Sequence, residues 1–212
     1  MKALGVVAQK GGAGKTTICV HLAALALAKR SVVLVDTDPQ RSAAGWWRRR
    51  TAEDVALVEI EPGQIDAFLK DARRSNVDLV IVDSAPAHGE DVRKISSACD
   101  YLLVPSRPAV MDVEAIGPTV EIVAATGTPG AIVLNACPPG RDGKEASMTR
   151  EVREVLAGAP LKVCPVSLCQ RAAFSHALID GRAVHEYDGD GRAAAEMRYL
   201  WKWVSRAIGR TS

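Results

Sequence analysis

Short apolar runs recur along the chain at residues 3–8, 32–35, 79–82, 101–104 and 131–134, and within each the hydrophobic positions are nearly continuous. A strand with one wet face alternates apolar and polar residues, whereas a strand covered on both faces does not. These Val-, Leu- and Ile-rich runs therefore predict buried parallel strands. Helix-like stretches fall between them, from about residue 15 to 30 and from about 62 to 75, and weaker strand signals lie at 55–60 and 161–163. Alternating strand and helix predicts an α/β chain with a doubly wound, mostly parallel sheet and helices on both faces. No repeat, low-complexity tract or Pro/Ser-rich linker interrupts the 212 residues, so one domain spanning 1–212 is expected.

Composition alters this picture little. Aromatic residues make up only 4% of the chain, so the core must be built from Ala, Val, Leu and Ile. A net charge of +2 is too small to argue for a nucleic-acid partner by itself. The cysteines (Cys19, Cys99, Cys137, Cys164 and Cys169) are odd in number and form no C-x-x-C pair, which points to reduced thiols and not to a disulfide framework. No leader pattern is visible and no apolar run approaches the ~20 residues of a membrane span, so a cytoplasmic protein is expected.

The chemistry begins where the first apolar run ends, in Gln9-Lys10-Gly11-Gly12-Ala13-Gly14-Lys15-Thr16-Thr17. Glycines between a strand and a helix let backbone N–H groups close around an anion, and the helix macrodipole favours negative charge there. The motif predicts a phosphate-binding loop: Gly11, Gly12, Ala13, Gly14, Lys15, Thr16 and Thr17 bind the nucleotide, Lys15 reaches the β- and γ-phosphates, and the Thr16 hydroxyl ligates Mg²⁺. Such a loop needs a carboxylate for its metal. Asp83 closes the buried run 79–82 and takes that role, through water. Asp36 and Asp38 close the run 32–35 and lie two residues apart, which puts them on one side of an extended strand. Asp36 is assigned to the outer coordination sphere of the metal. Asp38, further out from the sheet, is assigned to orienting the attacking water.

Together these segments, with Val104-Pro105-Ser106-Arg107-Pro108, Asp112, Gln170-Arg171-Ala172-Ala173-Phe174 and Glu186-Tyr187-Asp188, resemble the ParA/MinD family of deviant Walker ATPases over nearly the whole chain. The short stretch ahead of the loop, without a helix-turn-helix, resembles the small, ParF-like ParA type. The resemblance implies an ATP/ADP site with Mg²⁺, slow ATP hydrolysis and an ATP-bound face-to-face homodimer. It also implies a role for the second lysine, since Lys10 would cross to the partner's nucleotide and, with Lys15 and Asp38, complete the catalytic set. A cation delivered from a second chain stabilises charge developing on the phosphoryl oxygens. For the adenine, Asn135 would read the base edge and Pro165, with residues 166–168, would form the far wall.

Partners are read from the C-terminal segment. Arg198, Lys202, Arg206 and Arg210 recur every fourth residue, which on a helix makes one basic stripe, while Met197, Leu200, Trp201, Val204 and Ile208 make an apolar one. With Arg171, this stripe resembles the region through which ParA dimers hold non-specific DNA; Arg171, Arg198, Lys202 and Arg206 are the expected phosphate contacts. The implied role is nucleoid-associated positioning of plasmid DNA or another cargo, with hydrolysis stimulated by a cargo-bound, ParB-like adaptor. Three alternatives remain open: a MinD-like membrane-associated ATPase using Trp201 and Trp203, a small-molecule P-loop kinase, and a polymer-forming scaffold. Trp46 and Trp47 are expected to pack on the sheet or on a partner, and Arg48 to Arg50 to form a solvated face. A cluster held by Cys99 and Cys137 is not expected, since neither cysteine has Gly-rich surroundings.

Overall fold

The computed structural model describes residues 1–52, 54–86 and 89–210. Its elements follow in the order β1 (Lys2–Ala8), α1 (Lys15–Ala26), β2 (Val32–Asp36), α2 (Ser42–Arg49), β3 (Ala56–Glu59), α3 (Ile65–Ala72), β4 (Leu79–Pro86), α4 (Gly89–Ala98), β5 (Tyr101–Ser106), α5 (Val110–Thr126), β6 (Gly130–Leu134), α6 (Ser147–Val155), β7 (Lys162–Val163), α7 (Ala172–Ile179), α8 (Val184–Tyr187) and α9 (Arg192–Gly209). Every apolar run is a strand, and both weaker signals are short edge strands. The strands form one sheet in the order β3-β2-β4-β1-β5-β6-β7, with every pairing parallel.

Period-two side-chain direction explains the continuous hydrophobicity. Leu4, Val6, Leu34, Leu79, Ile81, Leu103 and Val133 point into one core layer, beneath α1, α2 and α7 to α9. Ala3, Val7, Val35, Val80, Val82, Leu102, Val104 and Ile132 point into the other, beneath α3 to α6. From the central β1 the chain first winds to one edge through β2 and β3, then to the other through β5 to β7. The loop after β1 thus sits where the winding reverses, at the carboxyl edge where open α/β sheets place their ligands.

Two sequence expectations change. The helix expected from residue 15 to 30 stops at Ala26, and the one expected from 62 to 75 divides into a 3₁₀ turn, Pro62–Gln64, followed by α3. The arginine run that closes α2 is not simply solvated. Arg50 is buried; its guanidinium holds Asp54 at 2.6 Å, Glu186 at 2.6 Å and the Gly181 carbonyl at 3.1 Å, and lies over the Trp46 ring. Arg49 donates to the Leu178 carbonyl and Arg48 to Glu59. Trp46 is buried in the first core layer, with its indole N–H on the Arg182 carbonyl. These contacts bind α2 to the corner between α7 and α8. Gly181, at φ +74°, permits it: a Cβ there would collide with the backbone of Arg49 and Arg50.

Candidate nucleotide-binding site

The loop from Gln9 to Gly14 joins β1 to α1. Gly12 and Gly14 have φ +72° and +96°, values that L side chains rarely adopt, and Gly14 caps α1. Lys15 is buried, with its ammonium 3.3 Å from the Lys10 carbonyl. Burial lowers its pKa, opposed by the charges of Asp83 and Asp38, and Lys15 and Asp38 line one cavity. That cavity, about 620 Å³, is lined by Gly12, Gly14, Lys15, Thr16, Asp38 and Trp46 among others.

Asp83 and Asp36 are register partners at the carboxyl ends of β4 and β2. Asp83 is fully buried, and burial pushes its carboxyl up to about 7, against a hydrogen bond from Thr16 and the charge of Lys15. Among the described residues its Oδ2 has no hydrogen-bond partner. A buried carboxylate oxygen left orphaned beside a hydroxyl and a lysine is costly unless a cation completes it. The donor set, hard oxygens from Thr16 and Asp83, suits Mg²⁺. Asp36 is differently engaged. Its Oδ1 accepts from the Asp38 N–H at 3.0 Å and its Oδ2 from the Ala44 N–H at 2.9 Å, so it ties the first turn of α2 to the sheet. Asp38 lies at the cavity wall and accepts from the Gln40 N–H at 2.8 Å. The turn that follows carries Arg41 at φ +51°, held by bonds to the Asp36 carbonyl and Glu59.

Lys10 stands outside the cradle, half-exposed, and its ammonium pairs with Asp112 of α5 at 3.0 Å. Within one chain, then, Lys10 is held at the rim and does not reach into the cavity.

Other expected residues are placed less simply. The Asn135 amide donates to the Ala13 carbonyl at 2.8 Å and fills the space where Gly14 has no Cβ. It braces the phosphate loop, and reading a base edge would require that bond to be exchanged. Pro165 does not line the phosphate-loop cavity; it borders a separate groove with Tyr199, Lys202, Trp203 and Arg206. Arg171 is bound at 2.6 Å to Glu196, so its charge is already balanced within the chain. Arg198 is exposed and donates to the Gly189 carbonyl, while Lys202 and Arg206 on α9, and Arg210 at its end, are exposed opposite its buried stripe of Met197, Leu200, Val204 and Ile208. Cys99 precedes β5 at the amino edge of the sheet and Cys137 follows β6 at the carboxyl edge, so the two thiols do not converge. Sequence reasoning missed Trp46, Arg49 and Leu178 as cavity walls, because only packing brings α2 and α7 beside the loop.

A glycine cradle at a strand–helix junction, a buried lysine followed by a half-buried threonine, and a strand-end aspartate with an unmet oxygen define a P-loop nucleotide-binding protein of the deviant type. The sequence profile of the CobQ/CobB/MinD/ParA nucleotide binding domain matches residues 4–184, and the chain belongs to that family. It is 32% identical to the maintenance of carboxysome distribution protein A of Gloeobacter kilaueensis over 93% of this chain and 90% of that protein. Among solved structures it is similar to an McdA–ATP complex from Cyanothece (18% identity, 97% and 96% coverage, TM-score 0.75). It is also similar to MinD with Mg-ADP from Pyrococcus horikoshii (14% identity, 100% and 98% coverage, TM-score 0.77).

Proposed function

We propose that the chain is a nucleotide-switched positioning ATPase: ATP draws two copies together, the dimer holds non-specific DNA through α9, and hydrolysis releases it. The observation that carries the DNA reading is the exposed basic face of α9, where Lys202 and Arg206, with Arg210 at the helix end, stand opposite the stripe that packs on the core. Each chain offers few such cations, so two copies acting together are needed for useful affinity.

In this reading the loop's N–H groups and Lys15 grip the phosphates, and Thr16 and Asp83 are the residues that would hold Mg²⁺. Bound there, the ion neutralises charge on the β- and γ-oxygens. Asp38 orients the attacking water from the cavity wall, while Asp36 keeps Asp38 and α2 in register. Lys10 leaves Asp112 and serves the nucleotide of the second copy. Intrinsic turnover is slow, because Asp38 positions water among described lining residues that include no histidine base. A cargo-bound adaptor supplies the stimulation. The relatives named for carboxysome distribution favour an intracellular body as cargo, with plasmid DNA as the other candidate.

The membrane alternative is disfavoured by α9 itself. Trp201 lies under the Arg30 guanidinium and Trp203 packs on Tyr101 beneath the Lys162 ammonium, so both indoles are used within the protein. Among the described residues no helix is long and apolar enough to cross a membrane. Fluorescence anisotropy with a labelled duplex tests the proposal. Binding is expected with Mg-ATP and not with ADP, to fall steeply with salt, and to be lost in Lys15→Ala and weakened in the double variant Lys202→Ala/Arg206→Ala. Binding that ignores the nucleotide would refute it.

A further inference from the structure

Arg107 has no part in the assignments above, yet it overhangs the phosphate loop. It follows β5 directly, between buried Ser106 and buried Pro108. A residue before proline is confined to extended conformations, so the chain presents this side chain in a restricted direction. Its Nη2 lies 3.6 Å from the point where a Cβ on Gly12 would stand. Gly12 is a cradle residue that lines the cavity.

The other arginines around this cavity are already committed. Arg41 is bonded to the Asp36 carbonyl and Glu59, and Arg49 to the Leu178 carbonyl. Arg50, behind them, is saturated by Asp54 and Glu186. Arg107 is exposed, and among the described residues its side chain has neither an ion pair nor a hydrogen bond. Of the lysines, Lys15 works at the floor of the cavity and Lys10 is paired with Asp112 at its rim. Among the described residues the cradle therefore carries one uncommitted cation at its outer lip, on the planar, five-donor group best matched to phosphate oxygens.

We propose that Arg107 contacts the terminal phosphoryl group of bound ATP and makes the site prefer ATP to ADP. The inference rests on the nucleotide reading of the loop. In that arrangement the third phosphate of ATP would lie at this lip, where a diphosphate would not reach. An arginine placed here reports the third phosphate, which is the distinction a nucleotide-switched protein requires.

The experiment is calorimetric titration of the whole chain with Mg-ADP and with a non-hydrolysable ATP analogue plus Mg²⁺, for wild type, Arg107→Gln and Arg107→Lys. A hydrogen bond to a charged group sets the scale of the effect, about tenfold or more in affinity. Arg107→Gln is expected to weaken the triphosphate analogue by that factor and ADP by less than about twofold. Arg107→Lys is expected to fall between, since it keeps the charge but not the fork. Because the side chain is exposed, thermal unfolding should be unchanged, and this confirms that the variants are folded. If Arg107→Gln weakens both nucleotides equally, or neither, the inference fails while the nucleotide reading stands. If the wild type binds neither nucleotide, the nucleotide reading itself fails.

Discussion

The helix that starts at the phosphate loop is anchored at its far side by a histidine that acid should disrupt. His21, on α1, is fully buried; its Nδ1 accepts the Val184 N–H at 3.1 Å, its ring packs on Phe174, and among the described residues its Nε2 has no partner. Burial, with the neighbouring charge of His185, holds its pKa down from 6.5 to about 3, opposed by Glu186. The unfolded chain therefore takes up a proton as pH falls below 6.5, whereas the folded chain resists until about 3. Stability contributed by neutral His21 is present above pH 6.5 and is lost progressively as pH falls toward 3. At about pH 5 the linkage amounts to roughly 2 kcal/mol. Protonation would also set a donor against the Val184 N–H, so the hydrogen bond is lost with the charge. Urea unfolding followed by circular dichroism at about pH 7 and pH 5 measures this. The control is His21→Asn, whose side-chain oxygen can still accept from Val184 but does not titrate. Wild type should lose roughly 2 kcal/mol more than the variant between the two conditions. His185, whose pKa is also lowered by burial, titrates in both proteins and largely cancels. Equal losses, within ~0.5 kcal/mol, would refute the reasoning.

Two further outcomes are expected. Arg50→Met leaves Asp54 and Glu186 without their shared cation and unties α2 from the α7–α8 corner. The cost should be about 3 kcal/mol, less than for a fully buried pair because both carboxylates are partly exposed, and a melting experiment should show a drop of roughly 6–12 °C. Lys10→Ala breaks a half-exposed pair with Asp112, so stability should change by less than ~1 kcal/mol while ATP hydrolysis falls. In mixed dimers of wild type and Lys10→Ala, hydrolysis should persist only at the site facing an intact Lys10; equal turnover at both sites would disprove the crossing role.

The sequence by itself determined the layered sheet and the position of the candidate phosphate loop within it. Short β-branched apolar runs between turn signals fit strands covered on both faces, and Gly12, Gly14, Lys15, Thr16 and Asp83 are legible as candidates because each is tied to the local geometry of a strand end or a helix start. Period and turn chemistry are local properties, so they can be read without the fold. Tertiary structure alone decided which polar groups are already satisfied. Arg50 sits in a run that reads as a solvated face, yet it is buried because Asp54 and Glu186 arrive from two other segments. Arg171 belongs to the expected DNA contacts until Glu196 of α9 meets it. Asn135 turns inward to the loop because Gly14, distant in sequence, leaves room for its amide. Arg107 stands out only once its neighbours are seen to be paired. A side chain's charge is written in its identity, but whether that charge is spent depends on partners brought together by the sheet order β3-β2-β4-β1-β5-β6-β7, which no local pattern encodes.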